Sequence, residues 1–186
     1  KFTKASLASI GTQIGKRVIV ESNSFIKNSK IYDDAQILAS SYVEGAVLKD
    51  ETVVGPMARI RPESVIGKKS KIGNFVEIKK SQLSEGVKVS HLSYIGDAEI
   101  GEETNIGCGF ITCNYDGAQK HKTVIGAKSF IGSDCQAVAP IEIGRESFVA
   151  AGSTITKNIP SGAFAISRPA LSIKEGAAKR FLKKKS

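Results

Sequence analysis

The sequence predicts an all-β protein, a parallel β-helix built from hexapeptide repeats, and three observations carry that prediction. Aliphatic residues recur every six positions, a small or β-branched residue often follows four positions later, and glycine often stands directly after the aliphatic anchor. The recurrence is plainest in Leu48, Val54, Ile60, Ile66, Ile72 and Ile78, and again in Ile125, Ile131, Ala137, Ile143, Val149 and Ile155; shorter sets run Ile14, Val20, Ile26 and Ile31, Ile37, Val43. The companions four positions on include Ser64, Ser70, Val76, Ser129, Cys135, Ser147 and Ser153, and the glycines are Gly67, Gly73, Gly96, Gly101, Gly107, Gly126, Gly132 and Gly144.

Two inward positions in six, with glycine where the chain turns, describe one short strand and one corner. Three such units close a coil of about eighteen residues. A period of six fits neither an α-helix nor a heptad, and a sandwich would place turn signals every eight to twelve residues or so. Composition agrees: aromatics are only 6% while glycines number 18, which suits short strands and tight turns.

Taken in chain order, the period slips by one residue at Ile78 to Leu83 and at Ile95 to Ile100, which reads as five-residue units absorbed in a corner. With three units per coil, Ile72, Val89, Ile106, Ile131 and Val149 stack in one column, roughly 4.8 Å apart. Two residues after the last four anchors come His91, Cys108, Ser133 and Ala151, one vertical strip on the outside. The neighbouring column of Ile60, Ile78 and Ile95 carries Arg61, Lys79 and Tyr94 beside its anchors, and Asn105 precedes Ile106.

From Thr112 to Ile125 there are thirteen positions instead of six, so the stretch "TCNYDGAQKHKTVIG" predicts a loop, at about 113–122, bulging beside the strip. Insertions in a solenoid map to its surface, often its binding face. A histidine, two cations, a tyrosine, an asparagine and a loop converging in one place mark a candidate site. The β-helix is thus expected over 1–168. In 169–186, Ser172 and Glu175 have capping-box spacing and predict a short helix followed by a basic tail.

The net charge of +9 would suit a nucleic-acid partner, but much of the excess sits in the terminal "KEGAAKRFLKKKS" and no aromatic-and-basic platform accompanies it, so none is expected. Apolar runs such as "AVAPI" are far too short for a membrane span, and "KFTKASLASIGTQIG" lacks a signal core, so the expectation is a cytoplasmic protein. Cys108, Cys113 and Cys135 have no metal-ligand spacing and are expected as reduced thiols, with no metal site. A hexapeptide carbonic anhydrase would need three histidine ligands where the chain has only His91 and His121.

The runs "RIRPESVIG", "GNFVEIKKSQL", "HLSYIGDAEIGEETNIGCGFITCNYDGAQKHKT" and "AISR" resemble the C-terminal acetyltransferase domain of the bacterial bifunctional N-acetylglucosamine-1-phosphate uridyltransferase and glucosamine-1-phosphate acetyltransferase, within the hexapeptide-repeat acyltransferase superfamily. The resemblance implies a left-handed β-helix and a homotrimer with sites at subunit boundaries. It also implies transfer of acetyl from acetyl-CoA to the amino group of glucosamine 1-phosphate, on the way to UDP-N-acetylglucosamine for peptidoglycan and lipopolysaccharide. Carried over by residue, it makes His91 the catalytic base, assigns Arg61, Lys79, Tyr94 and Asn105 to the sugar phosphate, and assigns Asn114, Tyr115, Ser133, Ala151 and Arg168 to acetyl-CoA. Cys108 occupies a further acetyl-CoA position, where the family pattern leads one to expect alanine. The family's N-terminal uridyltransferase domain and its glycine-rich nucleotide loop have no counterpart in these 186 residues, so that second activity is not expected of the chain.

The chemistry fits those residue types. An amine must be neutral to attack a thioester, and histidine is suited to hold the proton near neutral pH. Asp97 or Glu77 is the expected partner that orients the imidazole, and a backbone N–H at 114–115 or the Ser133 hydroxyl the expected oxyanion donor. Lys120 would add a cation, whereas His121, flanked by Lys120 and Lys122, is expected on the loop's edge with no orienting partner. Two alternatives stay open: an O-acyltransferase acting on a nucleotide sugar, and a non-catalytic solenoid serving assembly.

Overall fold

The computed structural model describes residues 7–8, 11–180 and 182. The chain winds as a parallel β-helix with three flat faces, which among the described residues are nine, nine and eight strands deep, each strand pairing with those three before and three after it. On the first face Ile72 pairs with Val89, Val89 with Ile106, Ile106 with Ile131 and Ile131 with Val149, the column that the spacing predicts. On the second face Ile60, Ile78 and Ile95 stack likewise. The third carries Ile66, Leu83 and Ile100, and all these anchors are buried.

The coils are tighter than eighteen residues in much of the chain. Ile14 pairs with Ile31 and Ile31 with Leu48, a repeat of seventeen. The residue is lost at the corner between the second and third faces, at Ile26 to Ile31 and Val43 to Leu48 as well as at the two slips visible in the sequence.

The corners are not made by the glycines that follow the anchors. The left-handed conformation falls three residues after the anchor in six-residue units and two after it in five-residue units, and non-glycine residues mostly hold it: Asp34, Glu51, Lys69, Leu92, Asp97 and Asp134 all have φ between 48° and 59°. The cost of that conformation is offset by a bond along the stack, as where Leu92 N–H donates to the Asn74 carbonyl at 3.1 Å and Asp134 N–H to Cys108 at 2.7 Å. The anchor glycines serve close approach instead. A Cβ on Gly73 would stand 1.9 Å from the Ser90 carbonyl oxygen, and one on Gly132 would stand 2.4 Å from the Ala151 nitrogen.

Inward serines tie one coil to the next. The Ser70 hydroxyl donates to the Ser84 carbonyl at 2.9 Å and accepts from Val87 N–H at 3.1 Å. Beyond the last strand, Phe164–Ala165, the short helix expected from Ser172 is a single 3-10 turn at Ala177–Arg180 with no buried residue. Leu171 and Ile173 are exposed, so nothing packs a longer helix, and an isolated short helix is unstable in water. Residues 183–186 of the basic tail lie outside the described residues.

This division of labour predicts opposite outcomes for two neighbouring changes. Gly132→Ala should lower stability by about 1–3 kcal/mol through overpacking, while Asp134→Gly, at a left-handed corner, should stay within about 1 kcal/mol of the parent; denaturant unfolding midpoints decide it.

Candidate active site

His91 ends the strand Lys88–His91, where the first face turns toward the second. Its backbone is paired as far as Asn74↔His91, its carbonyl accepts the Ser93 hydroxyl at 2.8 Å, and its ring Nδ1 meets Asn74 Oδ1 at 2.7 Å. The side chain is otherwise open to solvent. Above it the strip continues through Cys108, Ser133 and Ala151, laced by corner bonds such as Gly152 N–H to the Ser133 carbonyl at 2.8 Å. These are small side chains, Cys108 half-buried and the other two exposed, so the strip is a shallow track. Arg168 leans over its upper end, with Cδ 3.4 Å from where a Cβ would stand on Gly152. Asn105 projects from the flat of the first face, one coil above His91 and about 10 Å back along the strand direction.

Around the corner, the second face gathers the charged residues. Arg61 Nη1 meets Glu77 Oε1 at 2.8 Å, and Lys79 Nζ lies 3.7 Å from Asp97 Oδ2 in a largely buried pair. Asp97 also accepts Asn114 Nδ2 at 2.5 Å. Gly96 provides the floor: a Cβ there would stand 2.4 Å from the Tyr94 hydroxyl and 2.8 Å from Asn114 Nδ2. Lys120 returns from the loop to meet Lys79, whose hydrogen bond and like charge lower its pKa, with Asp97 and Tyr94 acting in the opposite sense. The two carboxylates expected to orient His91 are thus engaged elsewhere, Glu77 with Arg61 and Asp97 with Lys79 and Asn114; the ring's partner is Asn74.

The loop leaves the solenoid after Cys113 and rejoins it at Thr123. Asn114 roots it, buried, with its carbonyl accepting His121 N–H at 2.8 Å. Asp116 organises the tip by accepting Ala118 N–H at 2.8 Å, Gln119 N–H at 2.7 Å and the His121 Nε2 contact at 2.6 Å, which together hold its carboxyl well below the usual carboxylate range. His121 therefore has a partner after all, and that partner serves the loop. Tyr115 is exposed and its hydroxyl donates to the Gly117 carbonyl at 2.6 Å, so its phenol is engaged within its own turn.

Among the described residues no cluster of three or more His, Cys, Asp or Glu is arranged to hold a metal, and no helix is long and apolar enough to cross a membrane. Asn74 and Asp97 are the site residues that sequence reasoning missed or misassigned. Asn74 could have been found by extending the strip one coil downward, since it follows Ile72 as His91 follows Val89.

The chain is similar to known proteins in sequence and in fold. The model of the GMPPB C-terminal domain matches residues 45–126, and the bacterial transferase hexapeptide model of six repeats matches 122–157. The chain is 50% identical over 173 residues, 93% of its length, to the bifunctional protein GlmU of Pelobacter propionicus, and 49% identical over 178 residues, 95% of its length, to that of Zymomonas mobilis. It spans 38% and 40% of those proteins, matching their C-terminal part. Among solved structures, LpxA from Acinetobacter baumannii superposes with a TM-score of 0.74 at 14% identity, covering 98% of this chain and 78% of that one. PerB from Caulobacter crescentus, solved with CoA and GDP-perosamine, gives 0.57 at 18% identity over 62% of this chain and 54% of that one. At those identities the two structures show a shared fold.

The tie between loop and solenoid is testable without substrate. Asp97→Ala leaves the buried Asn114 amide unpartnered, a loss of about 1–3 kcal/mol, and should speed hydrogen exchange at the His121 amide by roughly tenfold or more.

Proposed function

We propose, from its 50% identity to the C-terminal part of a bifunctional GlmU protein, that the chain transfers acetyl from acetyl-CoA to the amino group of glucosamine 1-phosphate. The product, N-acetylglucosamine 1-phosphate, would feed UDP-N-acetylglucosamine synthesis in the cytoplasm. One observation carries the reading: a solvent-open histidine stands at the junction between a track of small residues and a cluster of cations.

In this mechanism the substrate amine attacks the thioester carbonyl carbon while His91 Nε2 takes up the amine's proton. The carbon–sulfur bond then breaks, and the CoA thiolate leaves with that proton, returning His91 to its starting state. A backbone N–H at 114–115 or the Ser133 hydroxyl would donate to the oxyanion. The pantetheine arm would lie along Cys108, Ser133 and Ala151, a track that spans about 14 Å from His91 at the inter-strand spacing. Its phosphates would meet Arg168, and Asn114 and Tyr115 would flank the thioester end. Cys108 adds one sulfur where the family pattern has alanine, a change a shallow track accommodates.

Arg61 and Lys79 would hold the sugar phosphate. Arg61 keeps guanidinium donors beyond the one engaged by Glu77. Lys79 and Lys120 lie close, with Asp97 beside both, so two cations face one carboxylate and the excess positive charge favours a bound anion. Tyr94 and Asn105 would bind hydroxyls. The β-helix domain would comprise 1–168 with the 113–122 loop completing the site. Left-handed winding and a homotrimer belong to the same proposal. Supporting the trimer, Phe130, Phe148 and Phe164 stand exposed in a stacked ladder on the first face, with centroids 4.8 and 5.7 Å apart.

Three measurements test this. Free thiol should appear when the protein, acetyl-CoA and glucosamine 1-phosphate are mixed; no release with this pair, or release only from an acyl-carrier-protein thioester with a nucleotide sugar, would overturn the assignment. His91→Ala should lose about 100-fold or more in turnover while remaining folded. Phe148→Asp should shift the sedimenting species from trimer to monomer.

A further inference from the structure

We propose that Asn74 is the positioning residue for His91, fixing its imidazole as the Nδ1–H tautomer so that the Nε2 lone pair points outward to the substrates. The inference rests on the reading of His91 as the base. Its evidence begins with the backbone. Lys71–Asn74 and Lys88–His91 are four residues long where most strands have two or three, and their pairing runs on to Asn74↔His91. One coil higher, the pairing of Lys88–His91 with its other neighbour ends at Val89↔Ile106. The ladder is therefore extended where these two side chains meet.

Both backbones are then pinned. Leu92 N–H donates to the Asn74 carbonyl at 3.1 Å, and the buried Ser93 hydroxyl donates to that of His91 at 2.8 Å. With the chain fixed on both sides, the 2.7 Å contact between Asn74 Oδ1 and Nδ1 sets the ring's rotation and its tautomer together. An amide oxygen only accepts, so Nδ1 carries the hydrogen and Nε2 keeps the lone pair that a base requires. The carboxylates that would otherwise do this are engaged, Glu77 by Arg61 at 2.8 Å and Asp97 by Asn114 at 2.5 Å. A neutral amide also has a chemical consequence. It orients the ring without adding a formal charge to stabilise the imidazolium, so the captured proton passes readily to the departing thiolate.

The test has a spectroscopic arm and a kinetic arm. Nitrogen-15 NMR of the neutral wild-type protein should show His91 protonated at Nδ1 and bare at Nε2; the reverse tautomer would overturn the proposal. Asn74→Leu, close in size and lacking the acceptor, should lose that tautomer bias. Its kcat should fall about 10- to 100-fold, with KM for acetyl-CoA and glucosamine 1-phosphate within about threefold. Asn74→Asp restores an acceptor and should recover kcat to within about tenfold of wild type. Wild-type kcat and tautomer in Asn74→Leu would refute the role, as would failure of Asn74→Asp to recover activity while folded. A fully active His91→Ala would instead remove the base assignment on which the inference stands, so the two failures are distinguishable.

Discussion

Coils stacked one inter-strand step apart set each residue above its counterpart in the coil below, and the rest of the molecule is built on that spacing. Between the end coils, outward residues have neighbours directly above and below, seventeen or eighteen residues away in sequence, or twenty-five where the loop intervenes, as from Asn105 to Phe130. Ion pairs tie neighbouring coils, some within one column, Arg17 with Asp34 and Lys27 with Glu44, and some between adjacent columns, Arg61 with Glu77 and Lys79 with Asp97, while Lys71 and Lys88 stack like on like. The exposed pairs among these stabilise little individually.

The same spacing makes site-building a matter of backbone rather than of side-chain reach. His91 and Asn74 meet because their strands are in register, and Lys79 meets Asp97 because both flank the same corner one coil apart. Precision then comes cheaply, since the core that stabilises the fold also positions the chemistry. The loop, outside the strand register, adds side-chain ties to its few backbone bonds. Its root depends on the buried Asn114 amide meeting Asp97, and its tip on Asp116, so its order is separable from that of the solenoid.

That contrast explains what could be read from the sequence. The inward column from Ile72 to Val149 and the outward strip from His91 to Ala151 follow from integer counting, because a repeat converts sequence distance into vertical distance. Glycine was harder: letters alone do not distinguish a glycine needed for φ from one needed for close approach, and Gly73 and Gly132 are of the second kind. Asn74 fell outside the strip because counting began at His91. The Asp116–His121 contact spans five residues within a loop that has no period, so no column predicts it. Glu77 and Asp97 looked like partners for His91 by charge, yet Arg61 and Lys79, each one coil below, claim them.

One further column gives the face a direction. Reading upward on the first face, the outward residues beside the anchors are Lys71, Lys88, Asn105, Phe130, Phe148 and Phe164, each paired with the next. The series passes from cationic through a neutral amide to aromatic, and the changeover at Asn105 lies one coil above His91. On the proposed reading, a phosphorylated sugar favours the lower, cationic side and a neighbouring subunit covers the upper, aromatic side. The histidine sits where the two meet, because there a charged acceptor can approach while the thioester lies against apolar surface. On that reading, a polarity boundary running beside the strip of small residues would bias from which end each substrate arrives, with side chains that touch neither reacting atom.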